Sequence, residues 1–581
     1  MDQKKAMRSH HSHMSPWQRG LAARRGWCQQ AAARPTTVLV IVVTVFAALL
    51  LAVVLFGVRL TPLGANNTWV SAGVRVVLKA VSDSDHGTGP LATVPDPSDR
   101  LLGGLLSPDF DESSCLSRYS AALYRRPSLH AVSTYLVSAL RRYESLHRRC
   151  GPGTPGYARA VELLRANASA AASSSSGSCS YAVWAPIEGL GNRMLSITSA
   201  FLYALLTDRV LLLHSSGGGG DLDGLFCEPF PGSTWILPAA PGDTGFPIRG
   251  IERLTDRYHH QSLGSVLRRG EDPGAAPWLY VHLRHDYTKD SRDQQFFCDD
   301  VQARLGAVPW LVFRSDNYFV PGLFLVPRHE AELARMFPRR DVVFHHLGRY
   351  LFHPSDTVWG MVTQYHDSYF ASADERVGIQ VRRFYWAPIS TDDLFAQILN
   401  CSQREDILPS VGVPAAKGGS DGQQPAKQKA VVVVSLHGEY SEKLRDLYQG
   451  HGGAAGGQEA VSVHQPTHLG SQRSGEQQHN QKALAEMVLL SFSDALVTSA
   501  VSTFGYVGQG LAGLRPWVLT SPVDRKGPGM PLPCRRAATV EPCFHAPLDY
   551  DCRAKAKGDA GRRVRHIRHC EDFPRGVQLV E

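Results

Sequence analysis

Hydrophobic and polar positions divide this chain into segments of different period. From residue 36 to residue 58 no charged side chain occurs, and the run is made of Val, Leu, Ile, Phe, Ala, Thr and Gly. A helix of that length reaches roughly 34 Å, enough to cross a hydrocarbon core with some tilt. Further on, Val132, Leu136, Ala139, Leu140, Tyr143 and Leu146 fall on one helical face, which Cys150-Gly-Pro-Gly153 then breaks. Short, largely apolar runs follow at residues 181–185, 210–213, 278–283 and 310–313, and again at 377–381, 430–436, 461–463, 495–499 and 517–520. Helical stretches at 194–206, 441–448 and 481–490, the first of them apolar, lie between them. Strands buried on both faces read as continuous apolar runs, and strand alternating with helix argues parallel sheets covered on both sides.

Charge and composition give the ends their meaning. Before the long apolar run stand Lys4, Lys5, Arg8, Arg19, Arg24, Arg25 and Arg34 against one acid, Asp2, so the short side is expected to be cytoplasmic. The predicted organisation is a cytoplasmic tail (1–35), a transmembrane signal anchor (36–58) and a luminal stem (59–100). An N-terminal α/β domain (101–360), a C-terminal α/β domain (361–525) and a Cys-rich tail (526–581) follow. Residues 168–178, 217–220, 417–429 and 452–457 are low-complexity and read as surface loops. Cys28 lies on the cytoplasmic side, while the other ten cysteines would face an oxidising lumen, where an even number suits disulfides. Their connectivity cannot be read from spacing. Sequons at Asn66, Asn167 and Asn400 are candidate glycosylation sites, the last exposed to interference from Cys401. The net charge of +8 is dispersed, with no basic stripe interleaved with aromatics, which argues against nucleic acid.

Between the first two apolar runs of the N-terminal domain lies Gly189-Leu190-Gly191-Asn192-Arg193, read as a tight loop opening the helix at 194–206. Such a turn offers free backbone N–H groups to an anionic or sugar ligand. It departs from the dinucleotide fingerprint, because Met194 occupies the third glycine position. The string from Gly189 to Leu195 resembles the signature of the plant α-1,2-fucosyltransferases of xyloglucan fucosyltransferase type. The resemblance extends over ordered matches starting at Leu101, Asp111, Leu225, Ser315, Phe344, Gly378, Val497 and Glu541. It implies a GT-B-like fold: two Rossmann-like parallel-sheet domains facing a cleft. It further implies a Golgi type II enzyme that moves L-fucose from GDP-fucose to the 2-hydroxyl of galactose on a galactosylated wall polysaccharide. Cell wall biogenesis is the implied process, and a homodimer is left open. The other readings are an inactive member acting as a Golgi scaffold and a fucosyltransferase acting on protein hydroxyls. Residues 435–440 and 217–220 depart from the family pattern, which bears on the acceptor rather than the donor.

A leaving diphosphate needs positive charge, supplied by a metal or by the protein. Asp109-Phe-Asp111 and Asp221-Leu-Asp223 have the letters of a metal motif, but neither follows a strand at a cleft, so no metal or other cofactor is expected. Arg382 ends the 377–381 strand at the sheet edge where α/β folds bind ligands, and the resemblance assigns it to the donor diphosphate. Arg383 should point to the opposite face. Ser502 is placed to cap a following helix, with Thr503 and Gly505 in its first turn, making an anion cradle beside Arg382. Asn192 and Arg193 would line the cleft from the other domain. For the general base, His285 and Asp286 are the leading pair, with His345, His346, His353 and Glu188 behind them.

Overall fold

The computed structural model describes residues 99–167, 178–215, 222, 224–239, 246–254, 256–410, 426–449, 459–521 and 532–581. All of them fall in the compact unit of residues 92–581. The expected tail, the anchor at 36–58, nearly all of the stem, Asn66 and the glycine insert at 217–220 lie outside the described residues. Among the described residues no helix is long and apolar enough to cross a membrane.

Two sheets form the frame. In the first, strands β1 (Tyr181–Trp184), β2 (Val210–Leu213), β3 (Trp278–Leu283) and β4 (Trp310–Ser315) lie in the order β2-β1-β4-β3, all parallel. Every side chain of β1, β2 and β4 is buried, because helices cover both faces, and the unbroken apolar runs follow from that. The second sheet takes β5 (Glu375–Val381), β6 (Lys427–Ser435), β7 (Glu459–His464), β8 (Ala495–Ser499), β9 (Trp517–Leu519) and β10 (Cys534–Arg536). Its order is β10-β9-β8-β5-β6-β7, parallel except for β10 against β9. Strand β6 begins inside the stretch read as a low-complexity loop. Lys429 is buried there, with Nζ 3.1 Å from Glu459 and 3.6 Å from Glu375, so ion pairing overrides a polar composition.

One apolar cluster runs from Trp184 and Phe201 through Phe344 and Leu347 to Leu490, Val507 and Phe544, so the two sheets share a core. The Leu190–Leu206 helix sits at its centre and is buried on nearly every side, as a helix apolar all round must be. It packs against the Val343–Leu351, Gln477–Leu490 and Thr503–Ala512 helices. Gly510 lets the Thr503–Ala512 helix approach the Val343–Leu351 helix closely, since a Cβ there would collide with the Phe344 ring. The helix also starts earlier than expected: residues 190–193 form its first turn rather than a loop. Tertiary burial here overrides the poor helix propensity of Gly and Asn.

The C-terminal segment fastens both halves. Cys298–Cys552 ties it to the first, Cys401–Cys534 ties it to the second, and Cys543–Cys570 closes a loop within it. With Cys115–Cys227 and Cys150–Cys179, all ten cysteines outside the N-terminal tail are paired. The buried Glu541 carboxyl accepts from Tyr318 Oη at 2.5 Å and from the backbone N–H of Phe344 at 2.7 Å, joining this segment to the start of the Val343–Leu351 helix.

Candidate active site

The carboxyl ends of the two sheets open onto one cavity of about 430 Å³. From the first half it is lined by Glu188, Gly189, Gly191, Asn192, His285 and Asp316. Gln380, Arg382, Ser435, Gln472, Ser502 and Thr503 line it from the second, and His545 from the C-terminal segment.

Two helices begin at this cavity. The Leu190–Leu206 helix has Gly189 as N-cap and the Thr503–Ala512 helix has Ser502, and neither N-cap makes a side-chain capping bond. The expected Ser502 cap is therefore not made; its hydroxyl is buried at the cavity wall. First-turn N–H groups left uncapped carry the positive end of the helix dipole and suit an anion. The two helix starts meet closely. Thr503 Oγ1 donates to Asn192 Oδ1 at 3.0 Å, and Asn192 Nδ2 donates to the carbonyl of Asp316 at 3.0 Å. A Cβ on Gly191 would lie 2.9 Å from Thr503 Oγ1 and 3.0 Å from the Phe504 nitrogen, so only glycine fits without a shift. Gly505 does not reach the cavity: it packs on the second sheet, where a Cβ would stand 3.0 Å from Gln380 Oε1.

Arg382 follows β5 directly, its backbone N–H held by Ser499 Oγ at 2.9 Å. Its Nη2 donates to Gln472 Oε1 at 2.9 Å and its guanidinium lies 5.8 Å from the Phe384 ring centroid. Among the described residues no carboxylate forms an ion pair with it, and burial lowers its pKa from the ordinary value. A cation without a fixed counter-ion in a cleft is available to an incoming anion. Arg383 instead meets Glu439 Oε1 at 3.6 Å and Thr391 Oγ1 at 3.4 Å, away from the cavity.

On the opposite wall His285 Nδ1 donates to Asp316 Oδ2 at 2.7 Å. The hydrogen bond that His285 donates to Asp316 raises the His285 pKa above its ordinary value. Asp286, paired with it in the sequence reading, is turned elsewhere and lines no part of the cavity. Its Oδ1 accepts from His282 Nε2 at 2.9 Å; burial opposes ionisation, yet His282 holds the carboxyl below its usual range. Arg193 is likewise off the wall. Its Nε donates to the Glu188 carbonyl at 2.9 Å and its Nη2 to the Ser474 carbonyl at 3.5 Å, so it braces the turn. His345, His346 and His353 are buried in the shared core, where desolvation drives their pKa values down. His345 Nδ1 donates to the Gly510 carbonyl at 2.8 Å, a structural role.

Several cavity residues escaped the sequence reading. Asp316 follows the end of β4, as Arg382 follows β5, and the same sheet-edge rule would have found it. Gln472, His545, Thr467 and Glu486 carry no such local signal. Glu486 accepts from Thr467 Oγ1 at 2.6 Å, and burial pushes its carboxyl up to about 8. Asp109 and Asp111 are exposed and Asp111 caps a short 3-10 turn through Ser113; Asp221 and Asp223 lie outside the described residues. Asn167 and Asn400 are exposed, the latter beside the Cys401–Cys534 disulfide.

The profile of the family described as Xyloglucan fucosyltransferase matches residues 74–553. A galactoside 2-alpha-L-fucosyltransferase of Arabidopsis thaliana is 48% identical over 488 residues, covering 83% of each chain. One of the same name from Pisum sativum is 46% identical over 486 residues, covering 83% of this chain and 82% of its own. A solved structure of an Arabidopsis thaliana FUT1 mutant in complex with GDP superposes with a TM-score of 0.74 at 46% identity, covering 83% of this chain and all of that one. The parallel sheets, the shared cleft and these matches agree, and the chain belongs to the xyloglucan fucosyltransferase family, a family of glycosyltransferases.

Proposed function

We propose that this protein transfers L-fucose from GDP-fucose to the 2-hydroxyl of a galactosyl residue on a cell-wall glycan, xyloglucan or an arabinogalactan side chain, with inversion and without a metal ion. The observation that carries this reading is the convergence in one cavity of Arg382, two uncapped helix starts and the His285–Asp316 pair. The acceptor oxygen attacks the anomeric carbon of fucose as its bond to the diphosphate oxygen breaks. Charge grows on the departing diphosphate, where the Arg382 guanidinium and the N–H groups of the turn opening at Thr503 stabilise it. The hydroxyl proton passes to His285, and Asp316 steadies the imidazolium that forms. Asn192 and Thr503 fix the two halves of the site relative to each other.

The same reading places the protein in the Golgi membrane, anchored by residues 36–58, with the catalytic part luminal and galactosylated polysaccharide as its partner. The asymmetric distribution of Lys and Arg about that run supports this. Protease added to sealed vesicles should remove only the short tail.

The test is an acceptor screen with the full chain in solubilised membranes and radiolabelled GDP-fucose, in EDTA and with added manganese. Label should enter a galactosylated glycan at the 2-position equally in both. Incorporation only with manganese would overturn the metal-free step. Hydrolysis of GDP-fucose with no glycan labelled would overturn the acceptor, and neither reaction would overturn the enzyme reading.

A further inference from the structure

We propose that Tyr385 and Trp386 form a stacking platform at the mouth of the cleft that holds a neutral pyranose of the acceptor glycan next to the residue being fucosylated. The proposal rests on the transferase reading above and names how that site would take its acceptor. Residues 384–389 read Phe-Tyr-Trp-Ala-Pro-Ile and follow Arg382 and Arg383 without a break. Phe384 and Trp386 line the catalytic cavity, with ring centroids 4.9 Å apart and planes at 31°. Trp386 is 46% exposed and Tyr385 is 96% exposed.

Exposure of this kind is unusual within the molecule. The other large aromatic side chains exposed among the described residues are Tyr258 and Tyr369. Tyr258 carries the guanidinium groups of Arg257 and Arg268 at 4.9 and 5.0 Å, and Tyr369 lies against Tyr365 and His464 at 4.8 and 4.2 Å. Tyr385 has neither a ring nor a cation against it among the described residues. Two consecutive aromatics left to water beside a reaction site mark a binding surface rather than a packing surplus.

The segment is also held in place before any ligand arrives. Ala387 N–H donates to the Phe384 carbonyl at 3.2 Å, Ala387 is buried, and Ile389 packs on the core of the second sheet. Ser390 Oγ then caps the Thr391–Arg404 helix by accepting from Asp393 N–H at 3.0 Å. A platform anchored at both ends loses little freedom on binding.

Its chemistry selects the occupant. A pyranose offers an apolar C–H face ringed by hydroxyls, which matches a flat ring with one polar edge, as Tyr and Trp provide. From Phe384 to Ile389 there is no charged side chain, and Arg383 is engaged with Glu439, so a neutral sugar is favoured over an acidic one. Only the reacting galactose needs to enter the cavity. The remainder of a polymer must leave toward solvent, and Trp386, which lines the cavity yet is half exposed, with the exposed Tyr385 next to it in the chain, offers a path from one to the other.

The experiment compares the full-length wild type with Tyr385→Ala, Trp386→Ala and Trp386→Phe. Three readouts are taken: GDP affinity by titration, retardation in gels containing galactosylated polysaccharide, and KM for a decorated oligosaccharide against a galactosyl disaccharide. Tyr385→Ala and Trp386→Ala should weaken retardation and raise the oligosaccharide KM about three- to tenfold more than the disaccharide KM, with GDP affinity held within about twofold for Tyr385→Ala. Trp386→Phe should recover most of the loss. Equal KM shifts on both acceptors, or none, with unaltered retardation would overturn the platform. Wild-type retardation that the alanine variants lose, with no fucose transferred to any glycan, would overturn the transferase reading and leave the platform standing.

Discussion

The backbone N–H of Val501 donates to Asp572 Oδ2 at 2.9 Å. Val501 has φ 61°, a left-handed conformation that a β-branched residue rarely takes. The same carboxylate accepts from Tyr506 Oη, whose oxygen receives His545 Nε2 at 3.1 Å, and His545 reaches the cavity. A residue of the C-terminal segment thus sets the backbone just before the helix start at Ser502 and Thr503, and the Cys543–Cys570 disulfide fixes that segment nearby. Strain held by a surrounding network at a site is a device for preorganisation. Asp572→Ala should lower kcat/KM about ten- to a hundredfold, matching the ~1.5–3 kcal/mol of a hydrogen bond to a charged group. Steady-state kinetics beside a melting curve would check this; full activity with a lowered melting point would mean the carboxylate serves only the fold.

Arg382→Ala should cost about 3–4 kcal/mol of transition-state stabilisation, in line with lost charge-stabilising donors at other reaction centres. Arg382→Lys should recover only part, since an ammonium lacks the planar bidentate fork. Arg383→Ala, which loses contacts to Glu439 at 3.6 Å and Thr391 at 3.4 Å away from the cavity, should retain most activity. Rates under saturating donor and acceptor, with GDP affinity measured separately, would decide. An inactive but folded Arg383→Ala beside an active Arg382→Ala would reverse the assignment.

Gly191→Ala should push apart the helix starts that meet at Asn192 and Thr503, because its Cβ would stand 3.0 Å from backbone atoms of residues 503 and 504. Overpacking of this kind costs about 1–3 kcal/mol of stability. A displacement approaching 1 Å at a reaction site lowers rates about a hundredfold. At Gly189 the added Cβ would meet only the movable Gln472 side chain, so Gly189→Ala should melt closer to wild type. Equal melting points for the two variants would contradict this geometry.

Stability should peak near pH 6.5. Burial lowers His346 and His353 to about 3 and His147 and His329 to about 4. Below their unfolded value of about 6.5 the unfolded chain takes protons that the native state refuses, so stability falls on acidification. Burial raises Glu486 and Glu541 to about 8 and Asp293 to about 7, so the native state keeps protons that the unfolded chain has released. These carboxyls contribute stability that is present at low pH and lost as pH rises through 7 to 8. Each group contributes about 1.4 kcal/mol per pH unit within its window. Above pH 6.5 the carboxyls act, joined by His285, whose raised pKa works in the same direction. Below it the four histidines outnumber the three carboxyls. Melting points from pH 5 to 8 should pass through a maximum, and a steady rise to pH 8 would show that these carboxyls ionise in the native state.

Sequence alone determined the strands of both sheets except β10, which was read as part of the Cys-rich tail, together with the placement of Arg382 at a sheet edge, the opposite facing of Arg383 and the position of Gly189 and Gly191 at the cleft. These are local properties: a strand buried on both faces must be apolar throughout, and side chains alternate along it. The start of the Leu190–Leu206 helix was misread because its first turn is stabilised by burial against another helix rather than by its own residues. The pairing of the cysteines, the turning of Asp286 toward His282 and of Arg193 toward Glu188, and the union of His285 with Asp316 were decided by the tertiary structure alone. So were the meeting of Asn192 with Thr503 and of Val501 with Asp572, across 311 and 71 residues. A side chain on a loop past a strand end has several partners within reach, and only the packing of the two halves and the C-terminal segment fixes which of them is near enough to bond.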